Sequence, residues 1–149
     1  MSDILTGKTV IVTGAASGIG RAIALGVAGH GAAAVIVSDI QPDPREGGRP
    51  TAELVGDLGV QSRFVRADVS RRADNDALVE AAREFGGVDV MVLNAGISLR
   101  SDGFDVAEDD YRRLMSINLD GPLFGAQAAA RQMKALGKAG SIVLMGSMG

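Results

Sequence analysis

The chain has 149 residues, 46% of them hydrophobic and 22% charged, with a formal net charge of −3 and no Cys. That suffices for one globular domain with its own core, and residues 1–149 read as one unit. The acidic balance and the scarcity of aromatic residues argue against a nucleic-acid partner, and the lack of Cys rules out a disulfide framework or a thiolate metal site.

No stretch approaches the length of a membrane span, so no membrane partner is expected. Met1 to Lys8 lack the basic-then-apolar layout of a secretory leader, which makes a cytoplasmic protein the expectation.

The first apolar run is Val10 to Val12, a strand by its composition, and a Gly-rich turn follows it. That turn reads Thr13-Gly14-Ala15-Ala16-Ser17-Gly18-Ile19-Gly20 and leads into a helix on which Ile19, Ile23 and Val27 recur every four residues. Gly14 allows a sharp turn, Gly18 lets backbone amides approach a pyrophosphate, and Gly20 lets the helix pack closely on the strand. The helix N-terminus offers unpaired N–H groups and a partial positive charge to phosphate oxygens. His30, between Gly29 and Gly31, marks the helix end and has no second candidate metal ligand nearby in sequence. No metal site is expected anywhere in the chain.

Val35 to Val37 form the second strand, and Asp39 closes it, 19 positions after Gly20. An acidic residue about 20 positions on can accept hydrogen bonds from the adenosine ribose hydroxyls. It would also repel a 2′-phosphate, so NAD is expected over NADP. Gln41 to Pro50, rich in Pro and Gly, reads as a surface loop. Phe64 and Val65 mark the third strand. Arg71-Arg72 opens a helix with a solvated face, on which Leu78, Ala82 and Phe85 share the apolar side. Val88 to Leu93 form the fourth strand, and Ile142 to Met145 the fifth. Between them, Glu108 to Lys138 is rich in helix formers. Pro122 cannot donate to the Asn118 carbonyl, so a kink is expected there. Strand alternating with helix implies an α/β fold, a doubly wound parallel sheet of the Rossmann type.

With Thr13 in front and three residues between the first two glycines, the turn resembles that of the short-chain dehydrogenase/reductase family. Four more segments share the resemblance. Asp68-Val69 stand where the family has residues beside the adenine. Asn94-Ala95-Gly96 match its element along the cofactor. Asn118, in Ser-Ile-Asn-Leu-Asp-Gly, stands at the family's catalytic Asn, and Ser147 at its catalytic Ser. Leu93 departs from the pattern, where many members carry a second Asn.

The resemblance implies an oxidoreductase that moves a hydride between NAD and an alcohol or ketone. The cofactor would be held by Gly14, Ser17, Gly18, Ile19, Gly20, Asp39, Asp68, Val69, Asn94, Ala95 and Gly96. It further implies five of about seven strands, a chain that stops before the family's Tyr-x-x-x-Lys pair, and a full-length form that is a homo-oligomer. The one Tyr, Tyr111, is followed four residues on by Met115 and reads as a packing residue. The 149 residues alone are therefore expected not to turn over. Two alternatives stand beside this reading: a non-catalytic dinucleotide-binding module, and an inert fragment.

Overall fold

In the computed structural model, which describes residues 3–101 and 103–147, five short strands lie side by side in the order β3-β2-β1-β4-β5, all parallel. They are β1 (Thr9–Thr13), β2 (Ala34–Asp39), β3 (Gln61–Arg66), β4 (Val90–Leu93) and β5 (Ser141–Leu144). The central strands are apolar on both sides because helices cover both sheet faces. Side chains alternate between two cores. Ile11, Ile36, Met91 and Leu93 point one way, toward α3 (Arg72–Ala81) and α5 (Gly121–Ala135). Val10, Val12, Val35, Val37 and Val92 point the other way, toward α1 (Gly18–Gly29) and α2 (Thr51–Asp57).

Helix α1 packs by a different stripe from the one its sequence suggests. Its buried positions are Gly20, Ala24 and Ala28, while Ile19 is 67% exposed and Ile23 and Val27 are half-buried. Small residues win the inner face because the helix lies too close to the sheet for branched side chains. Helix α5 follows the same logic on the opposite face. A Cβ on Gly121 would meet the Val69 side chain at 3.0 Å, and one on Gly125 would collide with Leu93. Leu93, the departure from the family pattern, is thus a buried packing residue.

The segment Glu108 to Lys138 is helical in three parts: α4 (Glu108–Met115), a π turn at Ser116–Asp120, and α5. The break in α geometry falls just upstream of Pro122. Through the π turn the Gly121 amide donates to the Ser116 carbonyl, five residues back. Tyr111 does not pack as expected. It is 52% exposed, because α4 buries none of its residues. Arg72 is more engaged than a solvated residue: its guanidinium stacks 4.2 Å from the Phe124 ring centre and donates to Gln127.

The amino ends of the strands are fastened by one buried carboxylate. Asp89 accepts from the Thr9 amide at 2.8 Å and pairs with Lys138 at 3.0 Å. Lys138 also donates to the Gly86 and Gly87 carbonyls. At the end of α1, the His30 ring nitrogen Nδ1 lies 2.8 Å from the Gly26 carbonyl, which is the terminal helix role expected of it.

Candidate dinucleotide site

At the carboxyl ends of the strands the chain leaves the sheet in opposite directions on the two sides of the β1–β4 pair. Open α/β sheets place ligands at such a switch point. A cavity of about 480 Å³ lies there, within the usual range for small-molecule sites. All eleven residues assigned to the cofactor by resemblance line it: Gly14, Ser17, Gly18, Ile19, Gly20, Asp39, Asp68, Val69, Asn94, Ala95 and Gly96.

The turn after β1 is shaped by two steric demands. Gly14 has φ +64°, and a Cβ there would sit 2.8 Å from the Ala95 Cα. Gly20 has no room at all, since a Cβ would overlap the Gly14 carbonyl. At Gly18 the opposite holds: nothing lies within 4 Å of the place a Cβ would take, so its φ of +55° rather than crowding selects glycine there. Gly18 opens α1, where amides have no acceptor within the helix. This is a cradle suited to a phosphate.

Thr13 and Asn94 join the turn to β4. The Thr13 hydroxyl accepts from the amides of Asn94 and Ala95, each at 3.1 Å. The Asn94 side chain donates to the Thr13 and Gly14 carbonyls. These bonds tie the turn to Asn94 and Ala95 at the end of β4.

Asp39 is positioned by its own backbone contacts. Its Oδ2 accepts from the Ala16 amide at 3.1 Å and its Oδ1 from the Ile40 amide at 2.8 Å. Each carboxylate oxygen keeps further acceptor capacity for a ligand hydroxyl. Asp68 Oδ1 is taken by the amide and hydroxyl of Ser70, and its backbone amide donates to Asp74.

Asn118 and Ser147 stand apart from this group, as neither lines the cavity. The exposed Asn118 side chain clasps the segment after Gly96: its Oδ1 accepts from the Ile97 amide at 2.9 Å and its Nδ2 donates to the Ile97 carbonyl at 2.8 Å. Ser147 lies in exposed coil beyond β5.

Sequence reasoning missed seven lining residues: Ile40, Arg45, Glu46, Ala67, Ile97, Arg113 and Ile117. Ile117 was findable, since it adjoins Asn118 in the matched segment. Arg45 and Glu46 were hidden in a stretch that reads only as a surface loop. Among the described residues no group of three or more His, Asp or Glu side chains is arranged to hold a metal ion, and no helix is long and apolar enough to cross a membrane.

The comparisons with known proteins agree with this geometry. Residues 8–149 match the family model described as short chain dehydrogenase. An L-rhamnose 1-dehydrogenase (NAD(P)(+)) from Azotobacter vinelandii is 41% identical over 146 residues, which are 97% of this chain and 57% of that protein. A 2-dehydro-3-deoxy-D-gluconate 5-dehydrogenase from Dickeya dadantii is 35% identical over 97% of this chain and 55% of its own length. The crystal structure of a short-chain type dehydrogenase/reductase from Mycobacterium marinum superposes with a TM-score of 0.85 at 31% identity, covering 95% of this chain and 58% of that one. The chain thus spans little more than half the length of these relatives. It belongs to the short-chain dehydrogenase family.

Proposed function

We propose that these residues form the dinucleotide-binding part of an oxidoreductase that uses NAD and acts on an alcohol or ketone. The observation that carries this reading is the convergence of a Gly-shaped turn, the N-terminus of α1 and the Asp39 carboxylate on one cavity. The bound nicotinamide would supply the hydride acceptor or donor. Amides at the start of α1 hold the diphosphate, and Gly14 and Gly20 let the turn lie close enough to present them. Asp39 receives the adenosine ribose hydroxyls. Val69 and Asp68 border the adenine, and Asn94, Ala95 and Gly96 run along the rest of the cofactor.

The family resemblance gives Ser147 the task of hydrogen-bonding the substrate oxygen and steadying charge there. It gives Asn118 a place in proton relay, and the grip of Asn118 on Ile97 supports a role in holding the cavity wall. The names of the two relatives above favour a polyhydroxylated, sugar-like substrate over a plain alcohol.

Titration with NAD and NADP tests the cofactor assignment. NAD should bind more tightly, and Asp39→Ala should narrow the difference about tenfold by removing repulsion of the 2′-phosphate. Tighter NADP binding by the unaltered chain would contradict it.

A further inference from the structure

The loop between β2 and α2 does more than cross the surface. Its far end is fastened to α1 and the turn before it. Arg21 donates to the Arg49 carbonyl at 2.9 Å, and the buried Thr51 hydroxyl donates to the Ala16 carbonyl at 3.1 Å. At the near end Pro44 is buried, and its carbonyl accepts from the Gly47 amide in a tight turn. Between these anchors the tip of the loop folds over the phosphate cradle. The Arg45 amide donates to the Ser17 hydroxyl at 2.7 Å, and Glu46 Oε1 accepts from the Gly18 amide at 3.1 Å.

Two adjacent loop residues therefore hold two adjacent groups of the turn that the dinucleotide needs. We propose that Glu46 is a built-in competitor for the phosphate seat, and that a dinucleotide binds only after the loop tip releases the Gly18 amide and the Ser17 hydroxyl. The proposal rests on the dinucleotide reading above and deepens it.

The chemistry of the two occupants is alike. A carboxylate oxygen and a phosphate oxygen are both anionic acceptors that suit a free amide at a helix start. They cannot share that amide, and their charges repel. The Gly18 amide first, and then its own amide, Ser17 and Arg21, hold the Glu46 carboxyl below its ordinary value, which favours the anionic form that competes with phosphate. The open state is then only a fraction of the free population. The apparent affinity for any phosphate-bearing ligand falls by that fraction, and a ligand without phosphate escapes most of the penalty. Glu46 would thus tune affinity for the diphosphate without being part of the chemistry. Its exposure lets it leave the cradle without disturbing the core.

The test uses the purified chain, Glu46→Ala and Glu46→Gln, each titrated with NAD and with adenosine. Glu46→Ala should bind NAD at least threefold more tightly and adenosine unchanged, with Glu46→Gln between it and the unaltered chain. Independently of any ligand, the amide resonance of Gly18 should move in Glu46→Ala, where that amide loses its carboxylate acceptor. Unchanged or weaker NAD binding by Glu46→Ala would overturn the competitor role, as would a Gly18 resonance that does not respond. Failure of every form to bind NAD would remove the dinucleotide reading and this proposal together. Normal NAD binding with no effect of Glu46 removes the proposal alone.

Discussion

Gly20 carries the sharpest demand on a single residue, because any Cβ there overlaps the Gly14 carbonyl and sits 2.6 Å from the side-chain Nδ2 of Asn94. Both neighbours are fixed, one by the backbone and one by its bonds to the turn. Gly20→Ala should therefore destabilise the chain by about 2–3 kcal/mol, at the upper end of overpacking costs. It should also abolish NAD binding, since relief requires α1 to retreat from the cradle. Urea unfolding and a cofactor titration would measure the two effects, and a fully stable variant would contradict the steric account. Asp39 has a less visible double task. The carboxylate proposed to receive the ribose also holds the Ala16 amide. Replacements that keep an acceptor, such as Asn, should preserve the turn better than Ala does.

At the level of elements, the turn between α5 and β5 is tied to the rest of the sheet through Lys138. Its ammonium group pairs with Asp89 and bonds the Gly86 and Gly87 carbonyls. Lys138→Met keeps the stem and deletes the charge, leaving the Asp89 carboxylate, 7% exposed, with the Thr9 amide as its one remaining partner among the described residues. The expected loss is about 1–3 kcal/mol, read as a lower midpoint in thermal unfolding. The central strands β1, β2 and β4 were legible because buried parallel strands are continuous apolar runs. The turn after β1 was legible because only glycine meets its steric demands. Helix α2 was not, since its seven residues bury only Thr51 and Val55 and so carry no repeating pattern. The inner stripe of α1 was misjudged because apolar bulk is a poor guide where close approach selects Gly and Ala. The π turn left only Pro122 as a hint, and its end two residues before that proline depends on how α4 continues. The role of Glu46 depends on a contact with Gly18, 28 residues earlier, and no local pattern encodes it.

Across the whole molecule the two sheet edges differ. Strand β3 places Gln61, Arg63 and Arg66 outward, and Arg63 pairs with Glu84. Strand β5 presents Val143, 43% exposed, and Leu144, 59% exposed, with Met145 beyond them. Leu119 and Leu123 are also exposed around the start of α5. A charged edge resists pairing with another chain, whereas an apolar one invites it. The 149 residues on their own should therefore self-associate as concentration rises, and Val143→Lys should reduce this. Sedimentation velocity across a concentration series would decide, a monodisperse monomer throughout being the contrary result.

The buried Asp89 lock sits at the amino ends of the strands, and every cavity residue sits at or beyond the carboxyl ends. The sheet thus has a sealed pole and an open pole. Lineages that alter ligand choice can rewrite the open pole, loop by loop, while the sealed pole keeps the strands in register. Substitutions drawn at random should accordingly sort by pole: those near Asp89 into losses of folding, those in the 41–50 loop into changes of ligand preference with the fold intact.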